Sequence, residues 1–335
     1  MQQNDYIKLF EDFNEVTALI IGDVMIDSYI WGKVERISPE APVPIVAVNK
    51  RENRLGGAAN VALNIHSMGA RPVLCSVVGN DKKGDEFIQL LEESGMDTSG
   101  LIRSNSRITT AKFRVIGNKV QMLRVDEEDT GSLSKEDETL LVERFEHIIA
   151  RQKPGVIIFQ DYDKGVITPG LIEKVVAKAN SMGVPVAVDP KKNNFLSYKN
   201  VTLFKPNLKE LKEGLHIDVP VIEKSELRKA ASQLREVIHA GIILITLSEA
   251  GIFVDYRDDN EKSTHIFPTW VRSVSDVSGA GDTVISVASL CLALGIPAEE
   301  IAFISNMAGG IVCEKVGVIP VDKIKLLKEI LKLRS

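Results

Sequence analysis

The sequence has little of what builds cross-links or metal centres. Its 335 residues include three cysteines, Cys75, Cys291 and Cys313, an odd number with no close pair. Each lies in an apolar stretch, so they read as buried reduced thiols, not as a disulfide framework. The five histidines are scattered and form no metal-binding spacing. A basic excess is also missing. The net charge is −5, which leaves no overall field to attract nucleic acid or an anionic membrane. No apolar run approaches the roughly 18 residues needed to span a bilayer. Met1 to Asn14 is polar and acidic, unlike a secretory signal. No internal repeat or low-complexity segment stands out. These absences point to a reduced, cytoplasmic protein without membrane or nucleic-acid partners. With 44% hydrophobic residues it has enough apolar material for a large core.

The chain then reads as alternating strands and helices. Val16 to Ile21 is a buried strand that stops at Gly22-Asp23, a site-facing turn. Residues 28–50 hold Pro39, Pro42, Pro44 and a short β-rich stretch, Pro44 to Val48. Residues 108–126 read as a hairpin with Gly117-Asn118 at its turn. These two β-rich segments are expected to form a small separate sheet. From about 134 onward, helices and strands alternate. Ser134 caps one helix; Thr168-Pro169 opens another, which Gly183 ends. Strands are expected at 155–159, 184–188, 201–204 and 242–247, and apolar helices at about 280–294 and 298–315. In the last helix, Ile324, Leu327, Ile330 and Leu331 read as its apolar stripe. The pattern predicts an α/β protein: a central, mostly parallel sheet covered on both faces.

The chemistry is concentrated in Asp276-Val-Ser-Gly-Ala-Gly-Asp-Thr283. Gly279 and Gly281 let the backbone turn tightly and approach a ligand. The apolar run from Val284 then begins a helix, whose free N–H groups suit an anion such as a transferring phosphoryl group. Phosphate would repel Asp282 unless that carboxylate has a task, and the fitting task is to accept a proton from an attacking hydroxyl. A capped helix start would explain one aspartate, but not the glycines and the second aspartate together. Three weaker signals accompany it. Gly56-Gly57-Ala-Ala-Asn60 precedes an apolar stretch and fits a plain turn or a ligand loop. Asn207-Leu-Lys-Glu210 fits a capping box or a polar site. Ile245-Thr246-Leu-Ser248-Glu-Ala-Gly251 follows a strand.

Together these stretches resemble the ribokinase-like (PfkB) carbohydrate kinases. DVSGAGDT is similar to that family's DTxGAGD signature, with Val277 in place of the usual Thr. The resemblance implies a single ribokinase-like domain over 1–335, a three-layer α/β/α sandwich with a small β lid at about 28–50 and 108–126. It implies that Asp282 is the catalytic base, that Gly279, Ala280 and Gly281 form the anion hole, and that Asp276 orients the nucleotide loop. Gly56 and Gly57 would border the sugar, and Asn60 would bind its hydroxyls. Asp27, with Asp23 second, would supply a sugar-binding carboxylate. Asn207 and Glu210 match the NxxE motif that helps to place Mg²⁺, through water. Thr246, Ser248 and Gly251 match a nucleotide loop near the ATP phosphates or ribose, and Asn306 and Gly309 match positions near the adenine. The implied cofactors are ATP and Mg²⁺, and the family's lids often pair in homodimers.

Within that family the chain resembles the heptose 7-phosphate kinases. Gly22-Asp-Val-Met-Ile-Asp27, Arg36-Ile-Ser-Pro-Glu-Ala-Pro-Val-Pro44, Asp161-Tyr-Asp-Lys-Gly165 and Asp189-Pro-Lys191 carry this resemblance, which runs from about 16 to 320. It implies phosphorylation of D-glycero-β-D-manno-heptose 7-phosphate at its C1 hydroxyl, on the way to ADP-heptose. Kinases of other sugars or sugar phosphates, such as fructose or tagatose phosphates, share every catalytic motif. A sugar-phosphate sensor without catalysis would have no need of Asp282. A phosphorylated substrate needs cations, for which Arg36, Arg114, Arg124, Lys164 and Lys191 are candidates. His66, His147, His216, His239 and His265 stand outside any H-x-G-H motif. Adenylyl transfer and removal of the C7 phosphate are therefore expected of separate proteins.

Overall fold

Successive residues of strand β1 (Thr17–Gly22) face opposite ways, as the twofold period of a strand requires. Ala18 and Ile20 enter one apolar core and Leu19 and Ile21 a second, all four without solvent exposure. A strand buried on both faces belongs inside a sheet covered by helices on both sides. The computed structural model describes residues 1–219, 222–258, 261–270 and 275–334.

In chain order, α1 (Gln3–Asp12) precedes β1. Next come β2 (Val24–Ile37), β3 (Pro44–Gly57), α2 (Ala58–Ser67), β4 (Arg71–Gly79), α3 (Lys82–Glu93), β5 (Leu101–Ser104), β6 (Ala111–Gly117) and β7 (Val120–Glu127). Regular alternation follows with α4 (Lys135–Gln152), β8 (Val156–Gln160), α5 (Pro169–Ser181), β9 (Val186–Asp189), β10 (Leu203–Phe204), α6 (Leu208–Leu215), α7 (Lys224–Ile238) and β11 (Ile242–Thr246). The chain closes with β12 (Ile252–Asp258), β13 (Glu261–Phe267), α8 (Ala280–Ala293), α9 (Ala298–Val312) and α10 (Lys323–Leu333).

Nine strands form one sheet in the order β13-β12-β11-β10-β9-β8-β1-β4-β5. All pairings are parallel except β11–β12 and β12–β13, an antiparallel edge that the sequence pattern had not indicated. Helices α1–α3 and α8–α10 line one core, and α4–α7 the other. The expected three-layer α/β sandwich is thus what forms. From β1 the chain moves first toward β4 and β5, then returns to β8 and continues away on the other side. That reversal leaves a crevice at the carboxyl ends of β1 and β8, the usual ligand position in open α/β sheets.

The caps at Ser134 and Thr168 appear as expected, each side chain accepting a backbone N–H three residues on. A second sheet, ordered β3-β2-β6-β7, is the expected small one, but larger: its strands cover 24–57 and 111–127. The β6–β7 turn falls at Asn118-Lys119, one residue later than expected. Both take left-handed φ angles, 51° and 66°, as a two-residue hairpin turn demands, while Gly117 stays in the strand paired with Val120. In α10 the buried residues are Leu326 and Ile330, spaced by four, while Ile324 is 66% exposed. The expected stripe was therefore partly misplaced around the helix. Cys75 and Cys291 are buried free thiols, but Cys313 is only half-buried. Among the described residues, no helix is long and apolar enough to cross a membrane.

Candidate active site

Two helices begin in the crevice. Gly57, at the end of β3, and Gly279 lie at the N-caps of α2 and α8. Both helices therefore carry a polar residue at their third position: Asn60 on α2 and Asp282 on α8. The two side chains meet, Asn60 Nδ2 donating to Asp282 Oδ2 at 2.6 Å. Gly279 has a φ of 80°, and a Cβ there would lie 3.1 Å from Val318 Cγ1 and 3.2 Å from Asn60 Nδ2, so only glycine fits comfortably. The helices are locked behind the site. Asn64 donates to the Asn60 carbonyl and accepts from Thr283 Oγ1 and from the Val321 N–H.

The floor consists of strand ends. Gly22, Gln160 and Asp189 are register partners closing β1, β8 and β9. Gln160 Nε2 donates to Asp282 Oδ1 at 3.2 Å and to Asp189 Oδ2 at 3.3 Å. Lys205, just past β10 and 2% exposed, pairs with Asp189 Oδ2 at 3.0 Å. The Tyr162 hydroxyl donates to Asp282 Oδ1 at 2.7 Å. Burial pushes the Asp282 carboxyl up to about 6, and nearby Asp189 adds to this. The hydrogen bonds from Asn60 and Tyr162, and the Lys205 charge, act in the other direction. No side chain caps the start of α8; the Ala280 N–H donates to Val277 O at 3.3 Å within the loop. Asp276 accepts from the N–H groups of Ser278 and Gly317, and Cys313 O accepts from the N–H groups of residues 275 and 276. Partial burial disfavours the Asp276 carboxylate, yet the amides bound to it hold its pKa below the usual range.

Other expected residues fall elsewhere. Asp27 stays in the crevice, paired with Arg114, and a Cβ on Gly56 would lie 2.5 Å from Asp27 Oδ2. Asp23 turns inward. It is fully buried, and its carboxylate accepts the N–H groups of Tyr162, Lys164 and Val166 at 2.7, 3.2 and 3.0 Å. It therefore clamps a loop and, fully buried, is turned away from a sugar. Burial, reinforced by the nearby Asp161 carboxylate, raises its pKa to about 6. Arg36 is exposed and lies roughly 30 Å beyond Asp27 along β2, at about 3.3 Å per residue, far from Asp282. Arg124 is on edge strand β7, bound to Asp126 through both Nε and Nη2. Lys164 pairs with Glu128 at 2.8 Å. Lys191 pairs with Glu210, and its ammonium stands 5.7 Å from the Tyr162 ring centre.

Asn207 and Glu210 form the reciprocal capping box of α6, at 2.8 Å in each direction. Their donor oxygens are thus engaged, and among the described residues no group of three acidic, His or Cys side chains could hold a metal. Thr246 ends β11, and Ser248 takes a left-handed φ of 53° in the turn before Gly251. Asn306 donates to the carbonyls of Phe267 and Pro268, bracing that loop. A Cβ on Gly309 would lie 2.8 Å from Val284 Cγ2, which marks it as the close contact between α9 and α8. The sequence reading missed the roles of Gln160, Lys205 and Tyr162. It also missed Arg54, whose guanidinium lies 4.8 Å from the Tyr29 ring centre, with Arg114 at 5.3 Å from the same ring.

An uncapped helix start beside a buried carboxylate of raised pKa suits an enzyme that moves an anionic group onto a hydroxyl, a phosphotransferase. Comparison with known proteins agrees. Residues 17–324 match the pfkB family carbohydrate kinases. The bifunctional protein HldE of Citrifermentans bemidjiense is 38% identical over 331 residues, 98% of this chain and 66% of that protein. HldE of Methylobacillus flagellatus is 38% identical over 320 residues, 96% and 64% of the respective chains. The chain spans about two thirds of the length of these relatives. The crystal structure of phosphofructokinase-2 from Escherichia coli in complex with potassium has the same fold, with a TM-score of 0.78 at 18% identity over 95% of this chain and 99% of that one. The chain belongs to the pfkB family of carbohydrate kinases.

The loop that delivers Tyr162 depends on Asp23. Asp23→Ala removes the acceptor for three N–H groups, each costing roughly 1–3 kcal/mol if left buried and unmet. The variant is expected to unfold at lower denaturant and to exchange amide hydrogens faster at 162–166. Unchanged protection there would show that the clamp is not needed.

Proposed function

We propose that this kinase transfers the γ-phosphoryl group of MgATP to the C1 hydroxyl of D-glycero-β-D-manno-heptose 7-phosphate, giving the 1,7-bisphosphate used to make ADP-heptose. The observation that carries the chemistry is Asp282, buried at the start of α8 against Asn60. The similarity to HldE proteins over nearly the whole chain supports the heptose. In this reading Asp282 takes the proton from the sugar hydroxyl, and the N–H groups of Gly279, Ala280 and Gly281 hold the phosphoryl oxygens. Lys205 adds positive charge beside that hole: a Cβ on Gly281 would lie 3.7 Å from its ammonium. Mg²⁺ supplies charge neutralisation to the phosphates. Asn207 and Glu210 suit it only through water, because their oxygens already serve the capping box.

The phosphate on the substrate is assigned to Arg54 and Arg114. Both lie beside Tyr29 on the small sheet, close to Asp27, and each guanidinium has more donors than its carboxylate partner uses. The small sheet then acts as a lid that keeps water from competing with the sugar. Copies of the chain pair through it. Val120, Met122, Leu123 and Val125 of β7 and Val48 of β3 are 42–61% exposed, apolar surface of the kind that interfaces cover. Light scattering should give twice the chain mass of 36.8 kDa, and Leu123→Asp should halve it. A monomeric wild type would end the pairing proposal.

The substrate is tested by following ADP release with the heptose 7-phosphate, fructose 6-phosphate and tagatose 6-phosphate. The heptose is expected to have the highest kcat/KM, and Arg54→Ala should raise its KM while leaving that of ATP nearly unchanged. A preference for a hexose phosphate would overturn the assignment.

Asp282→Asn should fold and bind ATP, yet lose roughly 10²–10⁴-fold in kcat. The base works ionised, and its pKa is raised to about 6, so wild-type kcat/KM should fall as the pH drops through that value and level off above it. A variant keeping more than about half of wild-type kcat would rule Asp282 out as the base.

A further inference from the structure

The two oxygens of the Asp282 carboxylate are not equivalent. Oδ1 receives two donors, the Tyr162 hydroxyl at 2.7 Å and Gln160 Nε2 at 3.2 Å. Oδ2 receives one, Asn60 Nδ2 at 2.6 Å. A carboxylate oxygen offers about two lone-pair sites. Oδ1 is therefore filled by the protein, and Oδ2 keeps a site beside Asn60.

We propose that Tyr162 and Gln160 are positioning residues that saturate Oδ1 and so make Oδ2 the oxygen that takes the proton from the acceptor hydroxyl. This rests on Asp282 being the base. It adds which atom acts and what selects it. The proton leaves the sugar oxygen for Oδ2, the electron pair of that O–H bond forms the new bond to the γ-phosphorus, and the bond from that phosphorus to the β–γ bridging oxygen breaks, its electron pair leaving with ADP.

The surroundings hold Tyr162 too firmly for its contact with Asp282 to be casual. Asp23 holds its N–H, together with those of Lys164 and Val166. Asp161 next to it is fixed by the Tyr198 hydroxyl at 2.6 Å and by Asn194 at 3.1 Å. The Lys191 ammonium stands 5.7 Å from its ring centre. Gln160 is 1% exposed and ends β8, so its amide has little room to turn away.

Two donors on one oxygen also stabilise the charged carboxylate, so they affect when the base ionises. The charged groups around Asp282 are Asp189 at the end of β9, Lys191 just after it and Lys205 after β10, while Asp27 from β2 acts on the Tyr162 phenol. Tyr162→Phe leaves all of them in place. Asp23 titrates in the same range as Asp282, but it binds the backbone of residue 162, so the substitution does not alter it.

The experiment compares kcat/KM against pH for wild type, Tyr162→Phe and Gln160→Met, with thermal melting of each and with Asp282→Asn as reference. Removing a donor from the ionised form should raise the acid limb by about one unit in Tyr162→Phe. Its activity should then fall about fivefold more at pH 6 than at pH 8. Gln160→Met should move the limb in the same direction, with sugar KM nearly unchanged in both. An unmoved limb in both variants, with Asp282→Asn inactive, would leave the base in place and overturn the positioning role. An active Asp282→Asn would instead remove the base assignment, and this inference with it.

Discussion

A buried carboxylate is costly unless hydrogen bonds replace its water, and the site is arranged around meeting that need for Asp282. Its donors come from three parts of the fold: Asn60 from α2, Gln160 from the end of β8 and Tyr162 from the loop after it. Each has its own support. Asn60 is anchored through Asn64 to α8 and to Val321, Gln160 lies in the register of β1, β8 and β9, and Tyr162 rests on Asp23. The burial that demands these partners also raises the carboxyl to about 6. One cause therefore produces the architecture and a group that changes protonation state near neutral pH.

Much of this was legible in the sequence because the signals were local. Glycines before an apolar run mark a helix start, and the two such stretches did open α8 and α2. Caps at Ser134 and Thr168 need only the next three residues of backbone to operate, and both hold. The alternation of apolar strands and helices was enough for a parallel sheet with two covered faces.

What stayed hidden depended on partners far along the chain. The resemblance ranked Asp27 ahead of Asp23, but the reason lay elsewhere in the chain: the loop at 162–166 takes Asp23 as its clamp, while Asp27 pairs with Arg114. Arg36 and Arg54 could not be ranked before the pairing of β2 with β3 was known. That pairing places Arg54 opposite Asp27 and carries Arg36 to the far end. Asn207 and Glu210 satisfied two patterns at once, and the capping box is the one seen. Gln160 and Lys205 did leave a trace. Each is a polar residue following a buried apolar strand, as in Val-Ile-Ile-Phe-Gln and Leu-Phe-Lys. Gly22-Asp23 had been read in that way, and the same reading of the later strands would have found them.

The wrapping of 313–321 around the loop before α8 has a consequence for synthesis. Cys313 O and the Gly317 N–H hold residues 275 and 276, Val318 packs on Gly279, and the Val321 N–H reaches Asn64 across 257 residues of chain. A ribosome releases the chain from its amino end, so the first strands and α2 can be in solution long before the segments that complete the pocket. Asn60 and Asn64 must wait with their amides in water, and such long-range closure is slow. The pocket therefore stays incomplete until residue 321 has left the exit tunnel.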